Sequence, residues 1–428
     1  MEATPALDIS EEAQDLILDF VRGDSPAAEA QATFHAFCLV SRKWLSSGRR
    51  ALYYDPLAVR ITSCKVAESL LRSVEGNAVL GASVRSLGGL AGASKAVHKM
   101  RNEANKVEQG RSGWKWAAQL VAACRNLRSV GVHLVNSKQA LAVAERLSPR
   151  ITSLTLQSPR DMPFSAGDLS HWLDAAKGSL DEVVQLSVLN FHWPRRVANS
   201  EEEDGPRFSL PIQSLTLDDC TLDASSLFAF VPSTPSHLRH LSLRTRLALS
   251  PADSVILISA LGPSLESLSF TSLWADRRSR VILPDEYAEL DGHCLPLSFF
   301  SPLPNLKKLE LGYTTAMSLL KFEALALGSP KLETLNLHRS AYQLDNPPFT
   351  LTPAAAFILA KPKLETLFSE QFDALKTLNL GLLPLVKGAR WQGLKEIMER
   401  KGVKLSMEGC RDPTSWYRCE QCSDLHEL

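Results

Sequence analysis

The sequence contains no apolar run long enough to cross a membrane. A membrane-spanning helix needs roughly 20 apolar residues, and the longest apolar stretches here, such as residues 255–261, are much shorter. The first ten residues, MEATPALDIS, also lack the basic and apolar regions of a secretory signal peptide. We therefore expect a protein of the cytoplasm or nucleus that has no membrane partner.

Cysteine is scarce, with eight residues spread over a chain of 428. Without a secretory signal, such thinly spread thiols are typical of free cysteines in a reducing compartment, not of a disulfide framework. The chain ends in a tail whose Cys410, Cys419, Cys422 and His426 are four potential zinc ligands. A single Cys-x-x-Cys pair is weak evidence for zinc. We favour free thiols and predict no metal and no cofactor, with a zinc site as the alternative.

The chain also has no net charge, because 47 basic residues balance 47 acidic ones. No global electrostatic field attracts this chain to nucleic acid, so we predict no nucleic-acid partner. The sequence has neither a Gly-x-Ser-x-Gly nor a His-Glu-x-x-His motif, and its ten histidines are scattered. We therefore predict that the chain is not an enzyme.

One pattern recurs along most of the chain: apolar-x-x-apolar-x-apolar. The copies begin at Val84, Leu127, Ile151, Val183, Ile212, Leu238, Leu265, Leu306, Leu332 and Leu364, with a last strand predicted at Val403 and an LKTLNL of uncertain register at Leu375. In Leu-x-Leu both leucines lie on one face of a strand, because side chains alternate with a period of two. Helically spaced apolar stretches precede most copies, so each repeat predicts a helix, a turn and a strand.

These repeats resemble the leucine-rich repeat family from about Val84 onward. The resemblance implies an α/β solenoid, a horseshoe in which stacked units share one core, with parallel strands on one side and helices on the other. The family's Asn or Cys after Leu-x-Leu is matched well only by Cys220. A generic α/β domain with similar parallel strands is the alternative. Residues 88–113 are small, polar and mildly basic, and we predict a flexible insertion there.

The N-terminal residues follow a different pattern. LDISEEAQDLILDFV predicts an amphipathic helix with Ser10 as its N-cap, and residues 23–30 predict a polar loop. A second helix leads into LVSRKW, and a third, basic helix ends in Leu-Tyr-Tyr. This order resembles an F-box of the F-box-like form, with Ile9-Ser10 in place of the family's Leu-Pro and a longer loop.

The F-box resemblance implies a partner and a mechanism. It implies that the helices dock on a Skp-type adaptor of a cullin-based SCF ubiquitin ligase core, while the repeats hold an unidentified protein substrate. The residues assigned to adaptor binding are Ile9, Leu16, Ile17, Phe20, Leu39, Val40 and Trp44. The alternative is an adaptor-free interaction scaffold whose N-terminal helices merely cap the repeat array. We predict an F-box-like all-α segment over residues 1–60, a solenoid over 61–409 and a tail over 410–428.

Substrate binding is predicted on the concave face of the repeats. Strand positions that alternate with the buried leucines face that surface, and they include Ser129 and His133 in the second predicted strand. The positions assigned to substrate recognition are His240, Arg244, Lys308, Glu310 and His338. Ordinary solvated strand positions are the alternative interpretation for each of them.

Overall fold

We describe the protein from a computed structural model. The described residues are 9–40, 43–58, 61, 63–91, 93, 96, 113–134, 137–158, 166–191, 211–220, 237–245, 251–272, 295, 297–301, 303–312, 317–338, 353–381 and 392–406. The chain forms two compact units, Met1–Asn190 and Phe191–Leu428, which we describe separately. No helix of the described residues is both long and apolar enough to cross a bilayer.

The first unit begins with three helices, α1 (Glu11–Asp24), α2 (Ala27–Val40) and α3 (Leu45–Tyr54). Ser10 caps α1 as predicted, because its Oγ accepts a hydrogen bond from the backbone N–H of Ala13. The predicted loop over residues 23–30 is wrong: only two residues separate α1 from α2. Alanine and glutamate favour helix, and Pro26 directly precedes the first turn of α2.

The three helices have a small apolar core of their own. Leu18, Ala30, Phe34 and Ala51 are buried in it, and Val21, Phe37, Trp44 and Leu52 pack against it. Arg22 reinforces this core from α1: its guanidinium lies 4.0 Å from the centre of the Tyr54 ring at the end of α3. The helical segment therefore has contacts of its own that hold its shape.

The rest of the first unit alternates helices and parallel strands. In chain order these are α4 (Cys64–Gly76), α5 (Ala78–Ser83), β1 (Ser86–Leu87), α6 (Gly113–Ala123), β2 (Ser129–His133), α7 (Ser137–Ala144), β3 (Ser153–Gln157), α8 (Ala166–Ala176) and β4 (Gln185–Leu189). Each strand pairs in parallel with the next one in the chain. Leu154 and Leu156 of β3 are buried between half-buried neighbours, so the period-two pattern is confirmed in β3. In β2, Val130 and Val132 are buried, but so are the residues between and after them.

Two tryptophans join neighbouring helices of the first unit. The Nε1–H of Trp116 on α6 donates to the carbonyl of Ala67 on α4 at 2.9 Å. The Nε1–H of Trp172 on α8 donates in the same way to Ala140 on α7, also at 2.9 Å. Both indoles are fully buried, and a buried indole N–H needs such a partner. The helix layer thus repeats one polar contact at two places.

The described part of the second unit contains seven parallel strands, paired in chain order. Its elements are β5 (Ser214–Cys220), β6 (His240–Thr245), α9 (Pro251–Leu261), β7 (Ser267–Ser272), a 3-10 helix (Leu297–Phe299), β8 (Lys308–Gly312), α10 (Leu319–Gly328), β9 (Thr334–His338), α11 (Pro353–Glu370), β10 (Thr377–Gly381), α12 (Gln392–Arg400) and β11 (Lys404–Ser406). Strands pair residue for residue from β6 to β11. Both units therefore contain α/β repeats, in which helices alternate with parallel strands of one sheet.

One predicted strand is wrong. LETLF from Leu364 lies inside α11, and the strand is LKTLNL, which forms β10. Leu364, Leu367 and Phe368 are buried at helical spacing, so the same letters satisfy a helix equally well. The last predicted strand, at Val403, is confirmed as β11.

Short helix-to-strand turns tie each repeat to the one before it. The Ser264 Oγ donates to the carbonyl of Leu238 at 2.8 Å, and the Asn305 Nδ2 donates to that of Pro263 at 2.8 Å. In the first unit, the Ser179 Oγ donates likewise to Leu147 at 2.8 Å. These contacts give the carbonyls of Leu147, Leu238 and Pro263 a hydrogen-bond donor within the turns.

The residues that directly precede β6 to β10 alternate in charge; they are Arg239, Glu266, Lys307, Glu333 and Lys376. Glu266 Oε1 lies 3.3 Å from Arg239 Nη1, and its Oε2 lies 2.7 Å from Lys307 Nζ. Lys376 and Glu333 form a further pair at 2.8 Å. Hydrogen bonding to Lys307 lowers the pKa of Glu266. This ion-pair ladder crosses neighbouring repeats along the turn edge of the sheet.

The start of the predicted flexible insertion is ordered. Leu90 and Ala91 are helical and buried, which differs from the expectation for residues 88–113. Residues 97–112, the larger part of that segment, lie outside the described residues.

Candidate docking surfaces

The outer side of α1 carries large apolar side chains in solvent. The exposed fraction is 70% for Leu16, 71% for Phe20 and 38% for Ile17, while Leu39 near the end of α2 is 73% exposed. Solvent exposure of three such side chains on one short helix is unusual for a soluble surface and typical of an interaction site. Sequence reasoning identified all four residues.

The other predicted adaptor residues lie elsewhere. Trp44 is half-buried and stacks on Phe37, with ring centres 4.6 Å apart, so it supports the three-helix core. Ile9 is half-buried, and its carbonyl accepts a hydrogen bond from the Gln14 side chain at 3.0 Å. The side chain of Val40 lies outside the described residues, as do Ser41 and Arg42.

An ion-pair clamp fixes α1 against α3. Arg50 Nη1 lies 2.6 Å from Glu11 Oε1, and Arg50 Nη2 lies 3.0 Å from Asp15 Oδ2. Burial lowers the pKa of Arg50, but hydrogen bonds to the two carboxylates outweigh that effect and raise it. The arginine predicted only as part of a basic helix therefore orients the helix that bears the apolar patch.

The end of α3 is joined to the first strand of the repeats. The backbone N–H of Arg85 donates to the Tyr54 carbonyl at 3.0 Å, and the Ser86 Oγ donates to Asp55 Oδ2 at 2.8 Å. Burial raises the pKa of Asp55. Sequence reasoning missed this junction, since no local pattern marks Asp55 as a contact of a strand thirty residues later.

Comparisons with known proteins leave the family of the chain open. No family model and no curated protein matches the sequence. Among solved structures, the chain is similar to the leucine-rich repeat-containing protein LegL7 from Legionella pneumophila, with 15% identity and a TM-score of 0.32. The match covers 69% of this chain and 93% of that one.

Across the described strands of the second unit, the open face of the sheet carries polar side chains and two glycines. Positions that alternate with buried leucines are Ser214, Thr216, Asp218, His240, Ser242, Arg244, Ser267, Ser269, Thr271, Lys308, Glu310, Gly312, Thr334, Asn336, His338, Thr377, Asn379, Gly381, Lys404 and Ser406. None of these is aromatic or aliphatic, so this face offers hydrogen bonds and charge in place of apolar anchors.

The predicted recognition residues lie on this open face. His240, Arg244 and Lys308 are exposed. Arg244 Nε lies 3.7 Å from Asp218 Oδ1, and Lys308 Nζ lies 3.6 Å from Glu310 Oε2, so both cations have an acidic neighbour. His338 is the last residue of β9, opposite Gly312, and its side chain lies outside the described residues.

Asn379 is a further residue of the open face, which sequence reasoning did not assign to recognition. It lies on the same face, between Asn336 and Ser406 of the neighbouring strands, yet it is only 8% exposed. Its Oδ1 is buried without a hydrogen-bond partner among the described residues. An acceptor that is buried without a partner costs free energy.

The prediction that His133 lies on an exposed face is wrong. This histidine is only 5% exposed, and Gly131 on the same side of β2 is also buried. The chain leaving β1 lies directly against that side: a Cβ at position 131 would meet the Gly88 carbonyl oxygen at 2.3 Å. The open face of the first unit is therefore partly covered beside β2.

No group of three or more metal-ligating side chains is found among the described residues. The candidate ligands Cys410, Cys419, Cys422 and His426 lie outside that part of the chain. Four of the remaining cysteines are described, and all four are free thiols. Burial raises the pKa of the Cys124 thiol to about 12, which keeps it protonated and unreactive at neutral pH.

Proposed function

We propose that the chain is the substrate-recognition subunit of a cullin-based SCF ubiquitin ligase, docking a Skp-type adaptor through α1 and α2. The exposed apolar patch of Leu16, Ile17, Phe20 and Leu39 carries this proposal. A patch of this kind supplies the buried anchors that dominate a protein interface. The independent three-helix core and the Arg50 clamp hold these anchors in place before any partner binds.

The exposure of the patch argues for docking in preference to capping. A cap covers the apolar end of a repeat array with its own apolar residues. The contacts of α1 and α2 are with each other and with α3, and the large side chains of the patch remain in solvent. Among the described residues, α3 packs against α5, and the Tyr54 carbonyl at its end accepts a hydrogen bond from the Arg85 N–H.

We propose that the substrate binds to the open face of the second unit. Because the described strand positions of that face offer no apolar anchor, the recognised segment is expected to be polar. It would offer acceptors to His240 and Lys308. No catalytic group is assigned to the chain, and ubiquitin transfer belongs to other subunits.

Calorimetry with a purified Skp-type adaptor tests the docking proposal. The test variant is Leu16→Glu with Phe20→Glu, which changes exposed side chains and leaves the core intact. The matched control is Leu320→Glu with Leu327→Glu, two exposed leucines of α10 that are 47% and 77% exposed. Loss of two hot-spot residues raises the Kd by about 30-fold or more, and the control should bind as the native chain does.

The second candidate function is an adaptor-free interaction scaffold. The hydrogen bonds that join Tyr54 and Asp55 to β1 favour it, since they attach the helices to the repeats as a cap would be attached. Failure of the intact, folded protein to bind the adaptor would select this function. Equal weakening by both double variants would also reject the assignment of the patch.

A further inference from the structure

Basic residues are concentrated in one part of a neutral chain. Residues 60–160 contain 16 lysines and arginines but only 5 acidic residues, whereas residues 161–428 contain 26 basic and 33 acidic residues. Five of the arginines lie in three consecutive helix-to-strand turns of the first unit. They are Arg85 before β1, Arg125 and Arg128 before β2, and Arg146 and Arg150 before β3. We call this set the arginine edge.

The turns of the arginine edge are stacked in direct contact. The backbone N–H of Arg128 donates to the Arg85 carbonyl at 2.8 Å, and that of Thr152 donates to the Arg128 carbonyl at 2.8 Å. Neighbouring parallel strands lie about 4.8 Å apart. The arginines of successive turns are therefore held side by side along one edge of the sheet.

Asn126 brings two of the guanidinium groups to one place. Arg85 Nη1 donates to the Asn126 carbonyl at 3.2 Å, and Arg150 Nη1 donates to Asn126 Oδ1 at 3.5 Å. Within the part of the chain that the structure describes, no carboxylate forms an ion pair with any of the five arginines. Acidic residues are nevertheless present in these turns: Glu145 lies in the turn before β3, and Asp181 and Glu182 lie in the turn before β4.

In the second unit, charged residues at the same edge of the sheet form ion pairs with each other. There the residues before β6 to β10 alternate in sign, and Glu266 pairs with both Arg239 and Lys307. In the first unit the equivalent positions of β1 and β2 are Arg85 and Arg128, two like charges on adjacent strands. Like charges at such a spacing destabilise a sheet, so folding alone does not favour them.

We propose that the arginine edge is a binding surface for an acidic peptide segment, a run of aspartates and glutamates on a partner protein. Guanidinium groups bind carboxylates with two parallel hydrogen bonds, and several in a row match consecutive acidic side chains. The turns hold no aromatic residue on which nucleic-acid bases could stack. A short acidic peptide therefore fits this edge better than nucleic acid does.

Fluorescence anisotropy with the full-length protein tests this proposal. The probe is a labelled twelve-residue peptide of alternating Asp and Glu, measured at low and at physiological salt. The edge variant is Arg125→Glu, Arg128→Glu and Arg150→Glu. The matched control is Lys65→Glu, Arg72→Glu and Lys115→Glu, which changes the net charge by the same amount at exposed positions of α4 and α6.

We expect the edge variant to raise the Kd for the peptide at least tenfold, and the control to change it less than twofold. We also expect native binding to weaken as salt rises. Circular dichroism confirms that each variant is folded. Equal loss in both variants would overturn the proposal, because attraction would then follow net charge alone. Absence of native binding at low salt would also overturn it. A single-stranded oligonucleotide of equal charge is measured in the same way. If it binds more tightly than the peptide and the edge variant loses that binding, nucleic acid and not an acidic peptide is the ligand of the arginine edge.

Discussion

The hydroxyl of Ser86 donates a 2.8 Å hydrogen bond to the carboxylate of Asp55, joining the first strand of the repeats to the end of the N-terminal helices. Burial raises the pKa of that carboxyl group. The folded chain therefore binds this proton more tightly than the unfolded chain does. By linkage, the stabilising contribution of Asp55 is fully present below its unfolded pKa and is lost as the pH rises through its folded pKa.

Asp55→Asn should remove this pH dependence. We expect the native protein to gain stability relative to the Asp55→Asn variant as the pH falls from neutral towards the ordinary carboxyl range, since only the native side chain takes up a proton. Urea unfolding of both proteins at several pH values measures the difference. Asp174→Asn, at an exposed carboxyl on α8, is the control. A stability difference that does not vary with pH would refute the assignment.

Trp172→Phe should destabilise the first unit by about 1–3 kcal/mol. The substitution keeps an aromatic ring but leaves the Ala140 carbonyl without its buried donor, and an unsatisfied buried group costs that much. Trp116→Phe should have a similar cost, because its indole makes the same contact with Ala67. Chemical denaturation followed by far-ultraviolet circular dichroism provides the measurement. An unchanged midpoint in both variants would mean that the packing, not the hydrogen bond, holds these helices together.

Glu266→Lys should lower the urea midpoint of the second unit. The change places three cations in line, since Arg239 and Lys307 lie on either side. Screening by salt should reduce the loss, because these groups are exposed to solvent. Glu370→Lys, an exposed residue at the end of α11, makes the same charge change away from the ladder. If the two variants lose equal stability at low salt, the ladder makes no specific contribution.

Gly131→Ala should destabilise the first unit by about 1–3 kcal/mol, the usual cost of an overpacked interior. The added methyl group would lie 2.3 Å from the Gly88 carbonyl oxygen, and this neighbour is backbone that cannot rotate away. Gly76→Ala is the control, because a Cβ there meets no atom within 4 Å. Thermal unfolding compares the two. A loss in the control equal to that at position 131 would show that the close contact is unimportant.

The strands were predictable because the Leu-x-Leu pattern that marks them is local and repeated. Buried pairs such as Leu241 and Leu243 recur with the same spacing in nearly every repeat, and burial of one strand face requires that spacing. The prediction failed where two patterns coincide. Leu364 and Leu367 fit both the strand motif and a helix, and the contacts that decide between them are remote in sequence.

The candidate sites were predictable only in part, for a related reason. The resemblance of the N-terminal helices to an F-box assigned Leu16 and Phe20 to docking, and the structure places both in solvent on α1. The burial of His133 and of Asn379 depends on the folded chain around them, so neither could be found from local sequence. The arginine edge becomes visible only when stacked turns bring Arg85 and Arg150 to Asn126.

The turn that holds Ser264 is fixed in length by its backward hydrogen bond. A turn whose Ser264 must reach Leu238 cannot change length without losing that bond. The stretch from a strand to the next described helix differs in length along the chain: β2 ends at His133 just before α7 begins at Ser137, whereas β7 ends at Ser272 and the next described helix begins at Leu297. An epitope inserted after β7 should therefore disturb the repeats less than one inserted in the turn that holds Ser264.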